Sequence, residues 1–244
     1  YTKALSLSRF AYDLESLASP ALAGAALLLV GFNSLFVFNA IAIGLSSLLI
    51  FGVHLPTAKP VSNETWLSKM TFGLRAYLAT PRLRGLLAMS MAVSAAGAMV
   101  IVNTVVYVQS FLGLGAAWIA VLLSFFGAGS MFAALSLPRL LDHANDKSVA
   151  LGAGGLMAAA LAFGVSMPGF AIVSALWFCI GAGYSSVLVL AGRLLLRSAA
   201  KEDRSAYFAA QFALSHACWL VTYPLAGWLG SVFELETAFV VLCV

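Results

Sequence analysis

Long apolar stretches recur along the chain, at about 10–31, 33–53, 84–110, 115–140, 148–167, 170–197 and 205–231, and an eighth begins near 237. Each is long enough to cross a bilayer as a helix, which takes roughly 20 apolar residues. Backbone in hydrocarbon must satisfy its own hydrogen bonds, so only helices and closed barrels span. No ~10-residue alternation of polar and apolar positions marks barrel strands. The expected fold is therefore an all-α membrane protein, a polytopic helical bundle of about seven full transmembrane helices and the start of another. Composition agrees. Of 244 residues, 62% are hydrophobic and 9% charged, against about a half and a quarter in soluble domains. A soluble fold of this size could not hide so much apolar surface.

The basic residues constrain topology. Lys3 and Arg9 precede the first stretch. Lys59, Lys69, Arg75, Arg82 and Arg84 lie at or between the second and third, Arg139 and Lys147 flank the turn between the fourth and fifth, and Arg193, Arg197, Lys201 and Arg204 flank the turn between the sixth and seventh. These are all thirteen Lys and Arg of the chain. The alternate connections, 31–33, 110–116, 165–169 and 230–237, hold none, and the last carries Glu234 and Glu236. If successive helices alternate in direction, every cation falls on one side, and cytoplasmic loops carry the Lys/Arg excess. The net charge of +4 then reflects topology and not nucleic-acid binding. The expected location is the inner (plasma) membrane, multi-pass, with basic loops cytoplasmic.

One basic-side connection, 54–82, is long. It opens as HLPTAKPVSNET and continues as TWLSKMTFGLRAYLAT. Asn63 suits a helix N-cap and Glu64 a first turn. Trp66, Leu67, Met70, Leu74, Tyr77 and Leu78 share one helical face, while Lys69 and Arg75 can snorkel toward headgroups. Two placements fit equally: a helix on the membrane surface, or one packed on the ends of other helices. Cys179, Cys218 and Cys243 lie in apolar stretches without paired spacing, as small buried hydrophobes do.

Two helices, a long basic loop with a surface helix, then tight hairpins: this order resembles the major facilitator superfamily, whose members join two six-helix halves by a long cytoplasmic loop. Three motifs add to it. Ser19-Pro20-Ala21-Leu22-Ala23-Gly24 is similar to the fifth-helix motif of drug/proton antiporters, with Ser19 in place of glycine. Residues 138–151, PRLLDHANDKSVAL, resemble the family's inter-helix signature, with Asp142 on its aspartate, Asn145 on its turn glycine and Lys147 on a basic position. His143 and Asp146 stand where the family has arginines. Asn145 suits a left-handed turn. Finally, YPLAGWLG in the seventh stretch echoes the first, as a two-half repeat would.

The resemblance spans the chain and implies that 1–53 are the last two helices of the N-terminal half. Residues 54–83 are then the inter-half linker, and 84–244 a C-terminal six-helix half with its last helix cut short. The chain opens on Tyr1 and closes inside an apolar run, so an internal fragment of a longer protein is expected. The implied activity is secondary transport, proton-coupled export of small amphipathic or toxic molecules by alternating access. The implied partners are that substrate, protons and the bilayer, with no nucleic acid, and a monomer is expected. No cofactor, no metal and no enzymatic motif is expected. A metal-ion or metabolite transporter of the same family is one alternative. A seven-helix receptor is another, although the seventh stretch has no lysine for a retinal Schiff base.

An intramembrane charge costs about 2.5–3.5 kcal/mol at helix centre, so polar residues in these stretches are few and informative. Gln211, Ser215, Cys218 and Thr222 form one stripe, and Phe212, His216, Trp219 and Tyr223 a second beside it. Asn103 and Tyr107 share a face, as do Trp177 and Tyr184. The expected substrate cavity is Asn103, Tyr107, Trp177, Tyr184, Gln211, Ser215, His216, Trp219 and Thr222; helix–helix packing is the plain alternative. Asp13, Glu15 and His216 are the proton-coupling candidates. Histidine is the side chain suited to proton exchange at physiological pH, while Arg9, four residues before Asp13, allows a simple interfacial ion pair. Ser19, Pro20, Gly24, Pro224 and Gly227 are expected as hinge or packing positions. Arg139, Asp142 and Lys147 are expected to form a cytoplasmic gate turn. Arg193 and Arg197 are expected to snorkel.

Overall fold

The computed structural model describes residues 32–51 and 66–243. Among these, eight α-helices occur and no strand: α1 (Phe32–Phe51), α2 (Trp66–Ala79), α3 (Pro81–Val106), α4 (Ala117–His143), α5 (Asp146–Gly164), α6 (Phe170–Ser198), α7 (Arg204–Val232) and α8 (Leu235–Cys243). The helix α3 runs on through a π-helical turn, Tyr107–Phe111. Each described helix falls within a few residues of an apolar stretch or of the predicted linker helix. The first stretch lies outside the described residues, and with it Asp13, Glu15, Ser19, Pro20 and Gly24.

Among the described residues, four segments are long and apolar enough to cross a membrane: Pro81–Phe111 (31 residues), Ala117–Asp142 (26), Asp146–Gly164 (19) and Phe170–Ser198 (29). The chain is thus a membrane protein. Seven full spans are expected over the whole chain, one of them in the first stretch, which lies outside the described residues. The difference is instructive at α7, which matches α6 at 29 residues but carries Gln211, His216, Thr222 and Pro224, which lower its hydropathy. In α1 the apolar run is Phe36–Phe51.

Helix ends follow local chemistry. Thr80 is extended ahead of Pro81, as residues before proline are, and Pro81 at the first helical position gives up an N–H that had no partner to lose. Asn145 caps α5: its side chain accepts from the Ser148 N–H at 2.7 Å. Its φ of −80° and ψ of 151° are extended, so the left-handed turn expected there does not form. Capping wins because an Asx side chain satisfies one of the orphan N–H groups of the first turn. The one described non-glycine residue with positive φ is Met167, at 48°, in the turn between α5 and α6.

The helix α6 is the hub. It packs most extensively against α4, then against α5 and α3, while α3 lies along α7 and α2 packs on α7. Glycine makes the α4–α6 crossing close. A Cβ at Gly129 would overlap the Phe178 carbonyl, and one at Gly181 would overlap the Phe126 carbonyl. Such reciprocal approach is how helices associate where lipid removes the hydrophobic drive between them. Trp177, Tyr77, Tyr107 and Phe239 are the largest fully buried side chains.

Candidate functional site

Three of the expected cavity residues meet at one end of α3, opposite its Pro81 end. Asn103 donates from Nδ2 to the Ala226 carbonyl on α7 at 3.2 Å. Trp177 donates from Nε1 on α6 to Thr104 Oγ1 at 2.9 Å. Tyr107 donates its hydroxyl to the Pro168 carbonyl at 2.6 Å, in the turn that holds Met167. The Tyr107 ring also meets Trp177 and Phe239, centroids 6.0 Å apart in each case. Asn103 is 1% exposed, and Tyr107 and Trp177 are 0% exposed. These three, expected as cavity lining, form a polar knot that ties α3 to α6, α7 and the α5–α6 turn. Three polar atoms of the knot find partners on a neighbouring helix or in the α5–α6 turn. One atom is left over: Asn103 Oδ1 is buried without a partner, against Gly230, where any Cβ would overlap it.

The polar stripe of α7 also turns inward. Gln211 accepts from the Tyr77 hydroxyl of α2 and donates from Nε2 to Ser90 Oγ of α3 at 3.1 Å. Ser90 in turn donates to its own helix at the Leu86 carbonyl, 3.0 Å away. Thr222 donates to the Ser94 carbonyl at 3.2 Å. Ser215 turns back to the Phe212 carbonyl at 3.0 Å. Gln211 and Thr222, expected in the cavity, are hydrogen-bonded to neighbouring helices.

This resolves the two placements of the linker helix. Tyr77 is fully buried, and a Cβ at Gly73 would stand 2.5 Å from the Ala206 carbonyl oxygen. So α2 packs on the start of α7, and burial pushes the Tyr77 phenol above its ordinary range. Leu78, expected on the same face, is 44% exposed. Tyr77, Ser90 and Phe126 are not among the expected site residues, although the apolar face expected for α2 includes Tyr77.

The aromatic stripe of α7 behaves differently. Trp219 lies over Gly97 of α3, where a Cβ would overlap its ring. Its ring centroid is 4.8 Å from Tyr223 and 6.3 Å from Tyr184 of α6. Tyr184 meets Phe126 of α4 at 5.4 Å. This row of four rings is half-buried. His216 is exposed beside it, its ring 3.9 Å from that of Phe212, with Nδ1 2.8 Å from the Phe212 carbonyl. Tyr184, Trp219 and Ser215 thus remain as a partly open wall flanked by His216. His216 and the buried Cys218 point apart, and no cluster of three or more His, Cys, Asp or Glu occurs among the described residues.

Charges gather at the opposite end of α6 from the knot. Asp146, the first residue of α5, holds Arg193 Nε at 3.1 Å and Arg197 at 2.5 Å. The arginines expected to snorkel are thus paired. Within the expected gate turn, Arg139, Asp142 and Lys147 are exposed, and the contact to α6 falls on Asp146 instead. A carboxylate at a helix N-terminus also meets favourable backbone dipoles. Pro224 sits inside α7 without ending it. Gly227 stands 3.7 Å from Val102 by its would-be Cβ, an ordinary contact. An open groove of about 370 Å³ lies between α4, α5 and α6, lined by residues such as Phe132, Leu137, Gly152 and Ser186. None of the expected cavity residues lines it.

Comparison of the chain with protein-family models, with curated proteins and with solved structures found no match.

Proposed function

We propose that the chain is a secondary transporter of the major facilitator type that exports small amphipathic molecules in exchange for protons. One observation carries this reading. The long helix α7 stands in an apolar bundle, yet presents Ser215, His216, Trp219 and Tyr223 on a half-buried to exposed flank continuous with Tyr184 of α6. Polar groups at membrane depth are retained where they meet protein or a water-filled path. Amphipathic rings beside an imidazole suit a substrate that is part apolar and part cationic.

The sequence supplies the rest of the support. All basic residues fall in or beside alternate connections, a pattern that favours a cytoplasmic side for those loops and an inner-membrane location. The motif around Pro20 favours export. Alternating access would rock α3–α8 against the other half, with His216, Asp13 or Glu15 carrying the proton. In this scheme the knot at Asn103, Thr104 and Tyr107 keeps one end of the half rigid, and Asp146 with its two arginines closes the other.

The test is transport by cells or vesicles carrying the protein, with His216→Asn, Asp13→Asn and Glu15→Gln at matched expression. Loss of gradient-driven efflux in one of these identifies the proton carrier. Efflux that survives collapse of the proton gradient removes the antiport reading.

A further inference from the structure

The helix α2 has two faces with different chemistry. Its inward face, Gly73 and Tyr77, is docked on α7. Its outward face carries Phe72 and Leu78, 45% and 44% exposed, with Arg75 exposed between them. Thr71, Phe72, Arg75, Ala76 and Ala79 line an open depression of about 360 Å³ along it. Only Thr80 separates the end of α2 from Pro81, where the 31-residue span begins. The chain connection therefore holds this end of α2 where α3 enters the bilayer. Exposed Arg82 and Arg84 flank that entry point. Residues 66–84 contain Lys69, Arg75, Arg82 and Arg84 and no acid.

We infer that the outward face of α2, with Arg75 and Arg82 beside Phe72 and Leu78, binds the headgroups of anionic phospholipids in the bilayer. Guanidinium groups match phosphate oxygens with two parallel hydrogen bonds. The two exposed apolar side chains have a partner at that depth in the upper acyl region, as in interfacial helices. An acidic protein segment would meet the charges but would leave Phe72 and Leu78 facing the membrane boundary unmatched. The consequence reaches α7: lipid holds α2 from outside while Tyr77 and Gly73 hold it from within, so lipid charge sets how firmly α2 stays docked. This goes beyond the transport reading and needs only that the chain lies in a membrane.

The protein is reconstituted in nanodiscs of phosphatidylcholine with and without phosphatidylglycerol, then released and its retained lipids weighed by native mass spectrometry. Phosphatidylglycerol is expected to be retained over phosphatidylcholine. Each arginine is worth about fivefold near an anionic surface, so the double variant Arg75→Gln/Arg82→Gln should lose at least ~10-fold of the preference. The pair Arg75→Lys/Arg82→Lys should keep most of it. Lys201→Gln, an exposed cation outside α2, should leave it unchanged. Equal retention of the two lipids overturns the proposal, as does a glutamine variant that keeps the preference or a Lys201 variant that loses it equally. On the native protein, hydrogen exchange over 66–79 should slow when phosphatidylglycerol is present; exchange indifferent to lipid charge also overturns it.

Discussion

The hydroxyl of Tyr77 donates to the side-chain oxygen of Gln211, joining α2 to α7 across 134 positions of sequence. The Gln211 amide then reaches Ser90 of α3 at 3.1 Å. Three helices thus share one short chain of hydrogen bonds at the basic end of the bundle. Tyr77→Phe removes the donor while keeping the ring. Such a bond contributes about 1 kcal/mol net, so amide exchange in α2 should rise roughly fivefold. Gly73→Val should do more, because its side chain must displace the Ala206 carbonyl. Hydrogen exchange with mass spectrometry over 66–79 checks both, and unchanged protection in Tyr77→Phe would show that the bond carries no weight.

The same contact sets a pH dependence. Burial raises the Tyr77 phenol above its ordinary value, so the folded state holds that proton more tightly than the unfolded chain. Stability from this site is then fully present below about pH 10, the unfolded tyrosine value, and is lost as pH rises beyond it. The melting temperature in detergent should fall above about pH 10, and more for the native protein than for Tyr77→Phe. Parallel curves would contradict the assignment.

At the α4–α6 crossing, Gly181→Ala places a methyl group on the Phe126 carbonyl. The helices must part or shift, which costs about 1–3 kcal/mol. Gly155 of α5 offers the control, since nothing lies within 4 Å of its would-be Cβ. Gly155→Ala should be neutral or gain up to about 1 kcal/mol of helix propensity. Thermal unfolding of the two variants in one detergent separates close approach from a general glycine effect.

At the charged end, Asp146→Asn releases Arg193 and Arg197, whereas Asp142→Asn removes an exposed carboxylate. The arginine side chains are 34% and 50% exposed, so each pair is worth about 0.2–1 kcal/mol and is screened by salt. Asp146→Asn should lower the melting temperature at low ionic strength, with a difference that shrinks in high salt. Asp142→Asn should change little. Equal effects of the two would return the gate to Asp142.

The apolar stretches made the helices legible. From α3 to α8 the boundaries came within a few residues of sequence expectation, because bilayer thickness and Lys/Arg placement constrain them directly. The directions of polar side chains were not legible. Gln211 and His216 lie on adjacent stripes of one helix, yet one meets Tyr77 and Ser90 while the other is exposed. That difference is set by where α2 and α3 dock, which no periodicity in α7 encodes. At Asn145 a left-handed turn was expected, and the side chain instead caps α5 through the Ser148 backbone N–H. Asp146 looked like a departure from a basic motif, and its role emerged only with Arg193 and Arg197 one turn apart on α6.

Transport driven by a proton gradient is the central claim. The most direct measurement loads cells overproducing the protein with a panel of fluorescent amphipathic cations and follows efflux before and after an uncoupler. Faster efflux than in control cells is expected for at least one compound, abolished by the uncoupler and reduced by Trp219→Ala. Efflux equal to the control for every compound, or unaffected by the uncoupler, would contradict it.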